Sequence, residues 1–283
     1  FTTAFSIFPQ LGDIKPFFSS TPNPGALKLS ARKWLTPVRM ADVTRLREQI
    51  ETTHPRLIIA LGAAALFALI EDKSIDKWRG APILSPDGYK ILPTYSPMSI
   101  MNKATHFPVA VADLIKAKRE AEFREIRRPS RILWLNPTLA DFEKFYTEHI
   151  VPAPIVSIDI ETNARTITEI SFAVSPSLCL VVPFYSHERV NYWSTISEEL
   201  AAWSLVRKIF STKKILGQNF QYDALFSYLS LGIPSPHYTE DTMYLHHTLE
   251  PELRKGLGFL ASIYTDEPAW KFMRKDATDK LAG

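Results

Sequence analysis

The stretch "VSIDIETN" (156–163) constrains the fold more tightly than any other part of the chain. Val156, Ile158 and Ile160 alternate with Ser157, Asp159 and Glu161. A period of two belongs to a β-strand, where residues i and i+2 share a face. One face of this strand is therefore apolar, and the other carries two carboxylates side by side. Like charges held that close are costly unless a cation lies between them. The segment calls for a half-buried strand in a larger sheet, and for a positive partner.

The surrounding pattern supplies the sheet. "RILWLN" (131–136) reads as a short strand, followed by the helix "PTLADFEKFYTEHI" with Asn136 or Thr138 as N-cap. "PIVSIDIET", "TEISFAVS" and "SLCLVVPF" (177–184) read as three successive strands on short connections, an antiparallel meander. "ISEELAAWSLVRKIFST" (196–212) is an amphipathic helix, "KILGQN" (214–219) a strand, and "YDALFSYLSLG" (222–232) a helix stopped by Gly232. "DTMYLHHTLEPEL" and "GLGFLASIYT" read as further helices, with Asp241 as a cap or a metal ligand and His246-His247 as packing or a ligand pair. This half is a mixed α/β sheet.

The first half has another rhythm. Residues 1–37, rich in Pro, Ser and aromatics, read as loops. "PVRMADVTRLREQIETT" (37–53) has helical spacing, with Val38, Val43, Leu46 and Ile50 on one face. "RLIIALG" (56–62) reads as a buried parallel strand, "AAALFALIED" as a helix and "YKILPTYSP" (89–97) as a second strand. Strand–helix–strand alternation predicts a parallel, doubly wound sheet. The helix of 108–126 turns strongly charged before "RRPS" (127–130), which places a domain boundary there, giving domains 1–128 and 129–283. The charges of 116–128 read as a solvated helix end or as a phosphate-contacting patch.

Composition narrows the chemistry. The single cysteine among 283 residues, Cys179, excludes an intramolecular disulfide and a multi-cysteine metal or iron–sulfur site, and fits a reducing cytoplasm. A net charge of +3 permits a polyanionic partner without demanding one. The longest apolar run, 57–70, is too short to span a membrane and contains Gly62.

"GQNFQYDALF" (217–226) places Asn219 and Asp223 four residues apart, at or just inside the start of a helix beginning near Phe220. A third carboxylate is thus brought to the sheet edge. Several carboxylates without a Cys or His ligand pattern select a hard cation, Mg²⁺ or Mn²⁺. Two such ions about 4 Å apart can clamp both the attacking water and the leaving oxygen of a phosphodiester.

"SIDIETN" and "NFQYD" resemble the first and second motifs of the DEDD-type 3′–5′ exonuclease superfamily, whose fold is RNase H-like. Residues 240–271 resemble the segment that follows in proofreading domains of family A DNA polymerases, phage ones in particular, and the likeness covers roughly 131–275. The resemblance implies two Mg²⁺ or Mn²⁺ ions held by Asp159, Glu161 and Asp223, which are then also the catalytic acids. It implies that Thr162 and Asn219 contact the DNA at its 3′ end, and that Tyr222 or Phe220 packs on a terminal sugar or base unless it belongs to the core. The substrate implied is a single-stranded or frayed 3′ end in a bacterial or phage-infected cytoplasm, with RNA as the other polymer the superfamily cleaves. The family's third motif, Tyr-x-x-x-Asp or His-x-x-x-x-Asp, is absent after Asp223; Phe272-x-x-x-Asp276 has the spacing without the hydroxyl. The chain starts at Phe1 and reads as a fragment or as a chain with disordered ends; since the motif is not found, it is expected beyond Gly283, with a polymerase domain after it by analogy.

The first domain resembles the C-terminal two-thirds of uracil-DNA glycosylases, family 4 in particular, through His54-Pro55, Leu61-Gly62, Trp78-Arg79-Gly80 and "PTYSPMSIM" (93–101). Where that family carries His-Pro-Ser in a DNA-inserting loop, this chain has Ser96-Pro97-Met98, and the cluster-binding cysteines are missing. The resemblance therefore implies a glycosylase-like fold inactive on uracil. Arg79 reads equally as a salt-bridge partner or a phosphate contact.

Overall fold

The computed structural model describes residues 2–6, 13–164, 166–185 and 190–267. Phe272 and Asp276 lie outside the described residues. The chain divides into two compact units, one formed by Phe1–Arg128 with the chain from Glu252 on, the other by Pro129–Pro251.

In the first unit, residues expected as loops form a small antiparallel sheet. Strands β1 (Phe18–Ser19), β2 (Lys28–Ser30) and β3 (Lys33–Leu35) pair in the order β1-β3-β2. Two or three residues per strand leave no periodicity to read. Helix α1 (Pro37–Thr53) starts with proline at its first turn and ends at His54, which sits in the left-handed region at φ 44°. Val43, Leu46 and Ile50 are buried on one face, whereas Val38, in the first turn, is exposed.

Strand β4 (Ile58–Leu61), helices α2 (Ala63–Ile70) and α3 (Ile75–Trp78), strands β5 (Ile83–Leu84) and β6 (Lys90–Thr94), and helices α4 (Pro97–Asn102) and α5 (His106–Glu120) follow. β4 and β6 pair in parallel, as expected, and β5 adds antiparallel to β6. The doubly wound parallel sheet is thus reduced to one parallel pair in a three-stranded sheet. β6 is buried throughout, while Ile59 and Leu61 of β4 are partly open to solvent.

The helix Leu257–Tyr264 belongs to this unit, although the sequence boundary assigns it to the second domain. Polar chemistry holds it there. Lys116 Nζ donates to the carbonyls of Gly80 at 3.2 Å, Ser262 at 2.6 Å and Thr265 at 2.5 Å. Phe259 and Ile263 pack against Tyr95, Val109 and Leu253. The charged end of α5 is therefore neither a solvated face nor a phosphate patch throughout: Lys116 and Glu120 are buried. Lys90 Nζ reaches Glu120 at 3.2 Å and the carbonyls of Phe123 and Glu125. Burial pushes the Lys116 amine down to about 8, against the pull of Asp113 and Asp266.

The second unit is one six-stranded mixed sheet with helices. Its elements are β7 (Ile132–Leu135), α6 (Leu139–Phe145), β8 (Val156–Asn163), β9 (Thr166–Ser175), β10 (Leu178–Pro183), α7 (Ile196–Thr212), β11 (Ile215–Gly217), α8 (Gln221–Leu231), β12 (Tyr238–Asp241) and α9 (Thr242–Leu249). The strand order is β12-β11-β8-β9-β10-β7. β8, β9 and β10 form the expected antiparallel meander, and β7, β11 and β12 add in parallel to their neighbours.

Thr138 caps α6 and Thr195 caps α7, each in a capping box with the acid three residues on, Asp141 and Glu198. The core gathers Val156, Ile158 and Ile160 with Phe142, Phe172, Leu180, Val206 and Phe210. β12, "YTED", has no apolar alternation, and the sequence reading does not contain it. No helix among the described residues is long and apolar enough to cross a membrane.

Candidate functional site

β8 follows its sequence pattern. Val156, Ile158 and Ile160 are buried, while Asp159 and Glu161 stand on the opposite, solvent-open face. Across the antiparallel ladder Asp159 lies opposite Ser171 and Glu161 opposite Glu169. Directly opposed residues share a face, so β9 adds a further carboxylate to this surface. The pairing register shifts between Glu161 and Thr162, next to the acids.

The other edge of β8 explains Asp223. β11 pairs with β8 only at Val156 and Ser157. Beyond that point the amide of Ile160 needs another acceptor, and Asp223 Oδ1 supplies one at 3.0 Å. Ile160 lies between Asp159 and Glu161 in the strand. A carboxylate from the first turn of α8 is thereby tied to the backbone between the two acids. Asp223 is buried, and no ion pair among the described residues includes it. Burial pushes its carboxyl up to about 6, with the charges of Asp159 and Asp241 adding to the rise and the Ile160 amide opposing it.

A tight turn launches α8. Asn219 is left-handed at φ 58°. A Cβ on Gly217 would stand 2.2 Å from Phe220 Cβ, so only glycine fits there. Asp241, at the end of β12, accepts from the amides of Asn219 at 3.1 Å and Phe220 at 2.9 Å. It also accepts from the Tyr238 hydroxyl and, as the cap of α9, from the Met243 amide at 2.8 Å. Burial alone would raise the Asp241 carboxyl; these donors outweigh it and hold it below its ordinary value.

The substrate-contact residues separate. Tyr222 is exposed, and its hydroxyl lies 3.1 Å from Thr162 Oγ1, joining α8 to the strand end beside the acids. Phe220 is fully buried, 5.1 Å between ring centroids from Tyr238, and is a core residue. His246 is buried within α9. Glu169 and the turn-binding role of Asp241 were not singled out from sequence. Glu169 is within reach of the alternation in "TEISFAVS"; of the two readings of Asp241, the cap of α9 is present, and its hold on the 219–220 turn has no signal in the sequence.

The donors fit Mg²⁺ or Mn²⁺ in kind: they are carboxylate oxygens, and Asp223 has acids for charged neighbours. As they stand they do not close into a cage, because among the described residues no group of three or more His, Cys, Asp or Glu side chains is placed to hold a metal ion.

In the first unit the two readings of Arg79 resolve into one. Its guanidinium is buried and forks onto Asp113, Nε to Oδ2 at 3.0 Å and Nη2 to Oδ1 at 2.5 Å, while Nη1 donates to Ser262 Oγ at 2.7 Å. Thr94 Oγ1 donates to the same Asp113 at 2.7 Å. Arg79 is a structural residue with no access to a phosphate. The stretch expected as a DNA-inserting loop is instead the start of α4: Ser96 caps the helix through Ser99 N, Pro97 and Met98 form its first turn, and a Cβ on Gly62 would stand 2.8 Å from Ser96 Cβ. His106 stacks on Tyr95 at 3.8 Å, with Nδ1 2.8 Å from Ser99 Oγ.

No family model matches the chain. It is similar to the type-4 uracil-DNA glycosylase of Thermotoga maritima, with 39% identity over 77 residues, 26% of this chain and 40% of that protein. The match therefore spans well under half of that relative's length. Crystal structures of the EXD2 exonuclease domain are also similar. The domain soaked in Mn and GMP aligns with 53% of this chain and 86% of its own, at 16% identity and a TM-score of 0.33. The same domain soaked in Mg and dGMP aligns with the same shares, at 16% identity and a TM-score of 0.32.

Proposed function

We propose that the second unit is a metal-dependent 3′–5′ exonuclease acting on DNA, the proofreading part of a family A polymerase. The observation that carries the reading is Asp223 tied to the Ile160 amide, between two acids on the open face of β8. A buried carboxyl with Asp159 and Asp241 for charged neighbours is costly to folding, and such perturbed carboxyls cluster at functional sites. Asp159, Glu161 and Asp223 would hold the ions. When bound, Mg²⁺ or Mn²⁺ supplies a lowered water pKa and charge neutralisation at the phosphodiester.

The remaining groups orient the strand. Tyr222 and Thr162, hydrogen bonded to one another, offer an aromatic face and a hydroxyl for the terminal nucleotide. Asn219 stands in the turn before the same helix, where its amide is already committed to Asp241. The fourth acid that the resemblance calls for would come from Glu169 or from Asp276. DNA is preferred to RNA because the chain is similar over 77 residues to a uracil-DNA glycosylase. With Ser96 in place of the family's histidine, that unit serves as a platform and does not release uracil.

The full chain, given Mn²⁺ and a single-stranded oligonucleotide labelled at its 5′ end, is expected to produce a ladder shortened from the 3′ end. Chelation should stop it. Uracil release from uracil-containing DNA without metal would instead favour a glycosylase. A chain that trims nothing in either metal would favour a non-catalytic DNA-binding scaffold.

A further inference from the structure

We infer that Asp241 is a positioning residue for this site: it clamps the turn that launches α8 and so sets where Asp223 meets β8. The inference rests on the exonuclease reading for its catalytic meaning, though not for its geometry. Asp241 is buried, and its two oxygens divide the labour. Oδ1 accepts from the amides of Asn219 and Met243, joining the turn to the start of α9. Oδ2 accepts from the Phe220 amide at 2.9 Å and from the Tyr238 hydroxyl.

The turn needs this clamp. Asn219 stands in the left-handed region at φ 58°, which asparagine tolerates better than other side chains, so the turn is fixed by its hydrogen bonds more than by strain. Two consecutive amides at the entrance of a helix have no partner within it. One carboxylate satisfies both. Phe220 is then fixed in the core by its ring and at the turn by its amide. Three residues later, Asp223 emerges with Oδ1 on Ile160. Capping of α9 needs only one of the four bonds, so a cap alone does not account for a carboxylate here.

Asp241→Ser separates the two roles, because serine is a good N-cap but too short to reach the Phe220 amide. In the full chain, amide hydrogen exchange at Ile160 should speed up by about tenfold or more, with Ile158 and Phe172 unchanged. In the Mn²⁺-dependent assay kcat should fall by about 10- to 100-fold, with KM within about threefold. Asp241→Asn, nearly isosteric, should show the same direction and serves where the serine variant folds poorly. Unchanged exchange at Ile160 in both variants would overturn the inference, whatever the activity. If the wild-type chain proves inactive, the exonuclease reading fails, and the exchange at Ile160 still decides the positioning of Asp223.

Discussion

Asp113 of the first unit and Asp223 of the second are both buried aspartates reached by a backbone or side-chain donor, yet their surroundings differ in sign. Asp113 receives two bonds from Arg79 and one from Thr94, with Lys116 adding positive charge nearby. Asp223 receives the Ile160 amide and has Asp159 and Asp241 as its charged neighbours. The first arrangement closes on itself and ties the helix Leu257–Tyr264 to α5. The second leaves negative charge facing solvent on β8 and β9. A buried charge met by an opposite one is part of the scaffold, whereas a buried carboxyl raised by burial and by other acids is the candidate for a functional role.

The largest expected effect comes from breaking the compensated side. Asp113→Asn leaves Arg79 buried without a counter-charge and should cost about 3–5 kcal/mol in denaturant unfolding of the full chain. A cost below about 1 kcal/mol would mean that Arg79 finds water, and the contrast with Asp223 would fail.

The next effect is on pH dependence. A lysine whose folded value lies below its unfolded one is least costly to the fold above the unfolded value, and it loses that advantage as the pH falls through the folded value. With Lys116 moved from 10.5 to about 8, stability should climb between those values, by at most about 1.4 kcal/mol per pH unit. Lys116→Met should lack that climb while losing the three carbonyl bonds. Identical pH profiles for the two proteins would show that the amine is solvated.

The smallest effect sharpens the comparison. Asp223→Asn keeps an acceptor for Ile160 and removes a charge repelled by its neighbours. In metal-free buffer at pH 8 it should change stability by less than about 1 kcal/mol, in the stabilising direction. A loss as large as that for Asp113→Asn would make Asp223 another scaffold residue.

What the sequence disclosed follows the range of its signals. The helices of 37–53 and 196–212 were legible because each carries a start signal and an apolar stripe over 17 residues. The strand "VSIDIETN" was legible because alternation decides its faces without outside help. The sheet of β1–β3 was not, since its strands are held by partners and carry no pattern. Nor was the fate of Arg79 and Lys116, whose partners at Ser262 lie 183 and 146 residues away. At the site, the acids could be named from their spacing, but the hydrogen bond from Ile160 to Asp223 depends on where β11 stops.

The central claim is that the acid face of β8 is the working surface of the molecule. Its most direct test is Mn²⁺-dependent shortening of a single-stranded DNA from its 3′ end by the full chain and by the double variant Asp159→Ala, Glu161→Ala. Both positions are exposed, so the variant should fold with a stability within about 1 kcal/mol of the wild type. The wild type is expected to trim the strand and the double variant to leave it intact. Equal trimming by both would contradict the claim.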